Sequence, residues 1–283
     1  FKNIELDMVV EPNLTVTDPE FSRSWAPLKI GADTAWDTAN GDGVIIAILD
    51  TGVNSSHPDL AANIVDGWNT FDNNADSSDV QGHGTKVAGS AAAAANNAAG
   101  SAGVSWGASI MPIRVADERG FGYFSTIAAG IHWAADHGAR VTNASFRGLA
   151  ASSTIKAAAD YMRSKGGVVV VSAGNTGALH EYAASDSLLV ASATNSSDVR
   201  PDWSSFGPYV DVAAPGVGVY TTTRNGGYGY ASGTSFSSPI TAATIALMMS
   251  VNSEMAASAS GINCTRLVAN CAIFQWVTGA WLL

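Results

Sequence analysis

Short apolar runs recur along the chain at 44–49, 109–115, 141–145, 167–173 and 188–193. A half-exposed strand alternates apolar and polar residues, whereas a strand covered on both faces does not. These runs therefore predict buried parallel strands. Alanine-rich stretches at His83–Ala95, Ser125–His137 and Ser152–Lys165 lie between runs and predict helices. Strand alternating with helix predicts an α/β fold, a doubly wound parallel β-sheet flanked by helices. Ligands of such sheets sit beyond the carboxyl ends of the strands. Asp50, Ser145 and Asn175 each stand at the end of a run, so one rim is expected to gather them.

Composition narrows the class. Apolar residues make up 47% of the 283 and charged residues 13%, which supports a large core and excludes disorder. No long polar or proline-rich linker divides the chain, so a single domain over 1–283 is expected. Lys and Arg number 14 against 24 Asp and Glu, a net charge of −10 that makes nucleic acid an unsuitable partner. No apolar stretch reaches the roughly 18 residues a membrane span needs, and the apolar tail at 272–283 is too short. Cys264 and Cys271 form no zinc pattern and permit one disulfide or two thiols. The chain starts mid-pattern at Phe1, as a processed protein would, and 253–283 carries no readable pattern.

Chemistry concentrates in glycine-framed blocks. Asp50 closes the first run in Leu49-Asp50-Thr51-Gly52, His83 lies in Gly82-His83-Gly84-Thr85, and Ser235 in Gly233-Thr234-Ser235. A serine hydroxyl becomes a nucleophile when a histidine takes its proton and a carboxylate holds that histidine in one tautomer. Each residue has another reading. Asp50 is also a turn-capping aspartate, or half of an aspartic-protease dyad; the chain has no second Asp-Thr-Gly to share a proton. Ser235 is also a helix N-cap ahead of the apolar stretch at 240–249. Asn175, after Ser172-Ala173-Gly174, either caps a turn or donates its amide to an oxyanion. His57 reads as structural, and His132, His137 and His180 have no assigned role.

Together these blocks, in the order Asp, His, Ser, resemble the subtilisin family of serine proteases over roughly 18–250. Ser56-His57-Pro58-Asp59-Leu60, Val87-Ala88-Gly89 and Asp211-Val212-Ala213-Ala214-Pro215-Gly216 extend the likeness. The resemblance implies a secreted, monomeric endopeptidase acting on polypeptides, with a catalytically silent binding module as its rival. Asp50, His83 and Ser235 would form the triad, and Asn175 would join the Ser235 N–H in holding the oxyanion. Gly120-Phe121-Gly122 and Ser145-Phe146-Arg147 would be the edges between which substrate lies as an added strand. Phe124, Ile127 and Phe146 would line the pocket for the fourth side chain before the scissile bond. Ala173, Gly174 and Ser145 would border the pocket at the bond.

Departures from the family pattern are Lys86 for a second histidine, Arg147 for a glycine, Phe236 for a methionine after the nucleophile, and a short 176–185 lacking Tyr-Pro. The last leaves primary specificity open. Residues 1–17 read as a propeptide remnant, a possible inhibitor or chaperone, or as an N-terminal extension. By resemblance, Asp18, Asp59 and Asn97 would bind calcium through side chains, and Ala94, Ala99 and Ser101 through carbonyls, giving the hard oxygens that ion takes. Asp72, Asn74 and Asp76 lie in a loop of alternating oxygen side chains that reads as a second cation loop or as a solvated acidic turn.

Overall fold

The computed structural model describes residues 15–252. The readings made on 1–14 and on 253–283, including Cys264 and Cys271, lie outside the described residues. The apolar runs form the central strands β1 (Ile45–Asp50), β3 (Ser109–Arg114), β4 (Val141–Ala144), β5 (Val168–Ser172) and β6 (Leu188–Thr194). Short strands β2 (Trp68–Asn69) and β7 (Val212–Pro215) complete a parallel sheet of order β2-β3-β1-β4-β5-β6-β7. A separate antiparallel pair joins β8 (Val219–Thr222) to β9 (Tyr228–Ala231).

Two short helices, α1 (Trp25–Lys29) and α2 (Ala32–Ala35), precede the sheet. Alternate residues of each central strand feed opposite cores. Ile46 and Ile48 of β1 pack with α3 (His83–Ala92) and α6 (Thr234–Val251), while Ala47 and Leu49 pack with α4 (Phe124–Asp136) and α5 (Ser153–Ser164). This explains why the strands carry no polar face. α5 begins where the Ser152 hydroxyl accepts the Ile155 N–H at 3.3 Å. α6 is long and apolar enough to cross a membrane, but 78% of it is buried inside the protein, as suits a core helix.

α3 stops at Ala92, short of the expected Ala95. The chain turns away because Ala94 N–H donates to the Asp59 carbonyl at 2.8 Å and Gly103 N–H returns to the Ala93 carbonyl at 2.9 Å. The sheet is parallel, so the carboxyl ends of β1, β4 and β5 share one rim, which carries Asp50, Ser145 and Asn175. α3 and α6 start at that rim.

Ile48 is fully buried beneath both helices. Ile48→Ala in a Ser235→Ala background should lower unfolding free energy by about 2–5 kcal/mol. Denaturant unfolding checks this; a loss under about 0.5 kcal/mol would mean the site collapses without a cavity.

Candidate active site

Asp50, at the carboxyl end of β1, is 0% exposed. Its Oδ1 accepts the Thr51 N–H at 2.8 Å, and His83 Nδ1 lies 2.8 and 2.9 Å from its two oxygens. The imidazole thus sits against both carboxylate oxygens. Nδ1–H donating to the carboxylate puts the lone pair of the neutral ring on Nε2. Burial disfavours the imidazolium, but the Asp50 charge and hydrogen bond outweigh it, so the His83 pKa lies above its ordinary 6.5.

His83 is the first residue of α3, and its N–H donates to Gln81 Oε1 at 2.9 Å. Gly84 is required by packing: a Cβ there would lie 2.1 Å from the Gly52 carbonyl oxygen. The loop before the helix is organised by Asp79, a buried residue to which the sequence reading gave no role. Asp79 accepts from the N–H groups of Gln81 (3.0 Å), Gly82 (2.7 Å) and Thr85 (3.0 Å) and from the hydroxyls of Thr51 (2.8 Å) and Thr85 (2.5 Å). Thr51 Oγ1 in turn accepts the Gly84 N–H at 3.0 Å. One carboxylate thus ties the loop after Asp50 to the turn that presents His83. An acid a few residues ahead of a helix start was the available signal.

Ser235 is the second residue of α6 and is buried. The preceding Gly233 has φ 153° and ψ 156°, a conformation essentially confined to glycine. Ser235 Oγ donates weakly to the Ser145 carbonyl at 3.4 Å, and Ser145 Oγ donates to the Ser235 carbonyl at 3.0 Å. The helix start is thereby fastened to the end of β4. The buried Phe236 ring lies 5.8 Å from the His83 ring. Asn175 Oδ1 accepts the Thr234 N–H at 2.9 Å and the Thr234 hydroxyl at 2.8 Å. With its oxygen pinned by two donors, its Nδ2 is turned toward Gly233, where it stays available to donate.

The two segments expected to border the substrate have the following geometry. Gly120-Phe121-Gly122 folds back so that Asp117 N–H donates to the Phe121 carbonyl at 2.9 Å and Phe121 N–H to Asp117 Oδ1 at 2.8 Å. Phe121 and Phe124 are exposed, Phe146 is half-buried, and Ile127 is a core residue beneath Gly122. On the other edge, Arg147 is exposed, and its Cβ lies 3.7 Å from where a Gly174 Cβ would be. Ala173 and Ser145 are buried beside them.

The two cation readings fare differently. Asp18 and Asp59 are buried with no cationic side chain in ion-pair distance among the described residues, and burial pushes the Asp59 carboxyl up. Asp18 accepts from Asn96 N (2.7 Å) and Asn97 N (3.0 Å), and Asp59 from Ser101 N (3.0 Å). Asn96, Ala98 and Gly100 all have positive φ, which is strained for Ala98. The buried carboxylates of Asp18 and Asp59 suit a hard cation, but Asn97 donates Nδ2 to Asp59 at 2.9 Å and accepts the Ala99 N–H on Oδ1 at 2.9 Å, so its side chain would have to turn over to serve as a ligand. The second loop, read as a cation loop or as a solvated acidic turn, uses its oxygens locally. Asp72 pairs with Arg114 at 3.2 Å, Asn74 Oδ1 accepts the Asp76 N–H at 2.8 Å, and Asp76 Oδ1 accepts the Ser78 N–H at 3.1 Å. These oxygens serve local turns and an ion pair. Among the described residues no group of three His, Cys, Asp or Glu side chains could hold a metal.

Asp79→Ala would orphan several buried donors at once. It should cost about 3–5 kcal/mol of stability, and Asp79→Asn less. Thermal unfolding of both variants checks this; a loss in Asp79→Ala below about 1 kcal/mol would deny Asp79 its organising role.

A model of the subtilase family matches residues 41–268. The chain is 45% identical over 240 residues to thermitase of Thermoactinomyces vulgaris, covering 83% of this chain and 86% of that one. It is 33% identical over 305 residues to an extracellular protease of Xanthomonas campestris pv. campestris, covering 88% of this chain and about half, 52%, of that one. Among solved structures, a protease of Pseudoalteromonas arctica superposes with a TM-score of 0.73 at 31% identity, covering 83% of this chain and 87% of that one. The chain belongs to the subtilase family and is a subtilisin-like serine proteinase.

Proposed function

We propose that this chain is a secreted endopeptidase that hydrolyses peptide bonds of polypeptides through an acyl-enzyme on Ser235. The observation that carries this reading is the contact of His83 Nδ1 with both oxygens of the buried Asp50 carboxylate. It leaves Nε2 as the base. His83 Nε2 takes the Ser235 hydroxyl proton as Oγ bonds to the scissile carbonyl carbon, and Asp50 stabilises the imidazolium. Asn175 Nδ2 and the Ser235 N–H donate to the oxyanion. The imidazolium then passes its proton to the leaving nitrogen as the peptide bond breaks. Water repeats the sequence: it gives a proton to His83 as it attacks the acyl carbon, and the imidazolium returns that proton to Ser235 Oγ as the acyl bond breaks.

Substrate lies between Gly120–Gly122 and Ser145–Arg147 as an added strand, with Phe124 and Phe146 flanking a side chain over buried Ile127 and with Ala173–Gly174 bordering the residue at the bond. Secretion is supported by the relative whose name is extracellular protease. The single peptidase domain acts as a monomer. Calcium, held by Asp18, Asp59 and Asn97 and by carbonyls of Ala94, Ala99 and Ser101, would neutralise the buried carboxylates and stabilise the loop.

Ser235→Ala, His83→Ala and Asp50→Asn should each lower kcat by about 10⁴–10⁶ without unfolding the protein, and their losses should not add. Asn175→Ala should lower it by about 10²–10³, the size found when the asparagine donor of subtilisin is removed. Peptide kinetics with a thermal-unfolding control tests both; a Ser235→Ala variant of unchanged activity would overturn the reading. In the same assay kcat/KM should rise with pH as His83 loses its proton, with an apparent pKa above 6.5. A protonated His83 contributes stability below 6.5 that is lost as pH climbs through the folded value.

Excess chelator should lower the melting temperature of Ser235→Ala protein, since a ligand bound only to the folded state stabilises it by mass action. Asp59→Ala should remove that response. A melting curve indifferent to chelator would refute the cation site.

A further inference from the structure

A pocket of about 410 Å³ opens at Gln81 and Gly82, the two residues before His83, and the mechanism does not use it. Its walls include Gln81, Gly82, Lys86, Arg224, Asn225 and Tyr228. Two of these are cations, and neither forms an ion pair among the described residues. In a chain with a net charge of −10, two uncompensated cations in one pocket stand out. Asp79 forms no ion pair with either of them; its oxygens meet loop N–H groups and hydroxyls instead. Arg224 is held at both ends: Nη1 donates to the Val80 carbonyl at 2.9 Å, and its own carbonyl accepts Asn54 Nδ2 at 2.8 Å. An anchored guanidinium loses less entropy on pairing with a carboxylate. Lys86 stands one helical turn after His83, on the same side of α3.

We infer that this pocket is a specificity subsite for an acidic side chain, Asp or Glu, of the polypeptide substrate near the scissile bond, with Lys86 and Arg224 as its recognition residues. This rests on the peptidase reading. The choice of a substrate side chain follows from the shared wall: Gln81 and Gly82 lead directly into His83, and Gln81 Nε2 lies 3.7 Å from where a Gly120 Cβ would be, at the substrate edge. A chain passing that edge and His83 brings a neighbouring side chain to the mouth of the pocket.

The test uses peptides in which one Asp, Ala or Lys is moved through each position flanking a single cleavable bond, with kcat/KM measured for each. At one position Asp should exceed Ala by about five- to tenfold, and Lys should fall below Ala. The ratio should shrink at about 0.5 M salt. It should approach one in Lys86→Gln/Arg224→Gln and favour Lys in Lys86→Glu/Arg224→Glu. Because each variant is scored by a ratio, a change in its overall rate does not obscure the result. Cleavage with no preferred Asp position, an Asp effect spread evenly over positions, or a preference that survives both double variants would overturn the subsite. Failure to cleave any peptide would overturn the peptidase reading along with it.

Discussion

A carboxylate with no exposure to water must be paid for by hydrogen bonds, and at Asp50 those come from Thr51 N–H and His83. That requirement orders the surroundings. His83 must stand at the first position of α3, so the helix start must press against the loop after β1. The approach is close enough that Gly84 has no room for a side chain. Asp79 then holds the two segments in register through Thr51 and the N–H groups of Gly82 and Thr85. The imidazole left by this packing is oriented, in one tautomer and with a raised pKa.

The opposite half of the site is built from different parts on the same rim. Ser235 and Asn175 are locked by Thr234, Gly233 and the reciprocal bonds between Ser145 and Ser235. α3 and α6 cover one face of the sheet together, so the core beneath them sets where both helix starts, and with them His83 and Ser235, lie. Phe236 links them, packed among core residues yet facing the His83 ring.

Much of this was legible in the chain. The central strands betrayed themselves as runs apolar on both faces, and the glycine frames of Asp50, His83 and Ser235 marked backbone conformations or approaches that a side chain forbids. β2, β7, β8 and β9 escaped because strands of two to four residues carry too little pattern. Asp79 escaped because its role is made by a fold-dependent meeting of two loops. Alternating oxygens at Asp72, Asn74 and Asp76 suggested a cation, but in the fold Arg114 reaches Asp72 and the other side chains close turns. Alternation of donors along a chain does not decide whether they converge. Lys86 and Arg224 are far apart in sequence and were joined only by the packing of the β8–β9 loop against α3.

The central claim is that the buried Asp50 carboxylate holds the His83 imidazole by its Nδ1–H. Proton NMR of the His83 ring, with Asp50→Asn as the comparison, tests it most directly. The account predicts an exchangeable Nδ1–H resonance far downfield of ordinary imidazole protons, titrating with a pKa above 6.5. In Asp50→Asn that resonance should move upfield and the pKa should fall. A His83 resonance and titration unchanged by Asp50→Asn would contradict it.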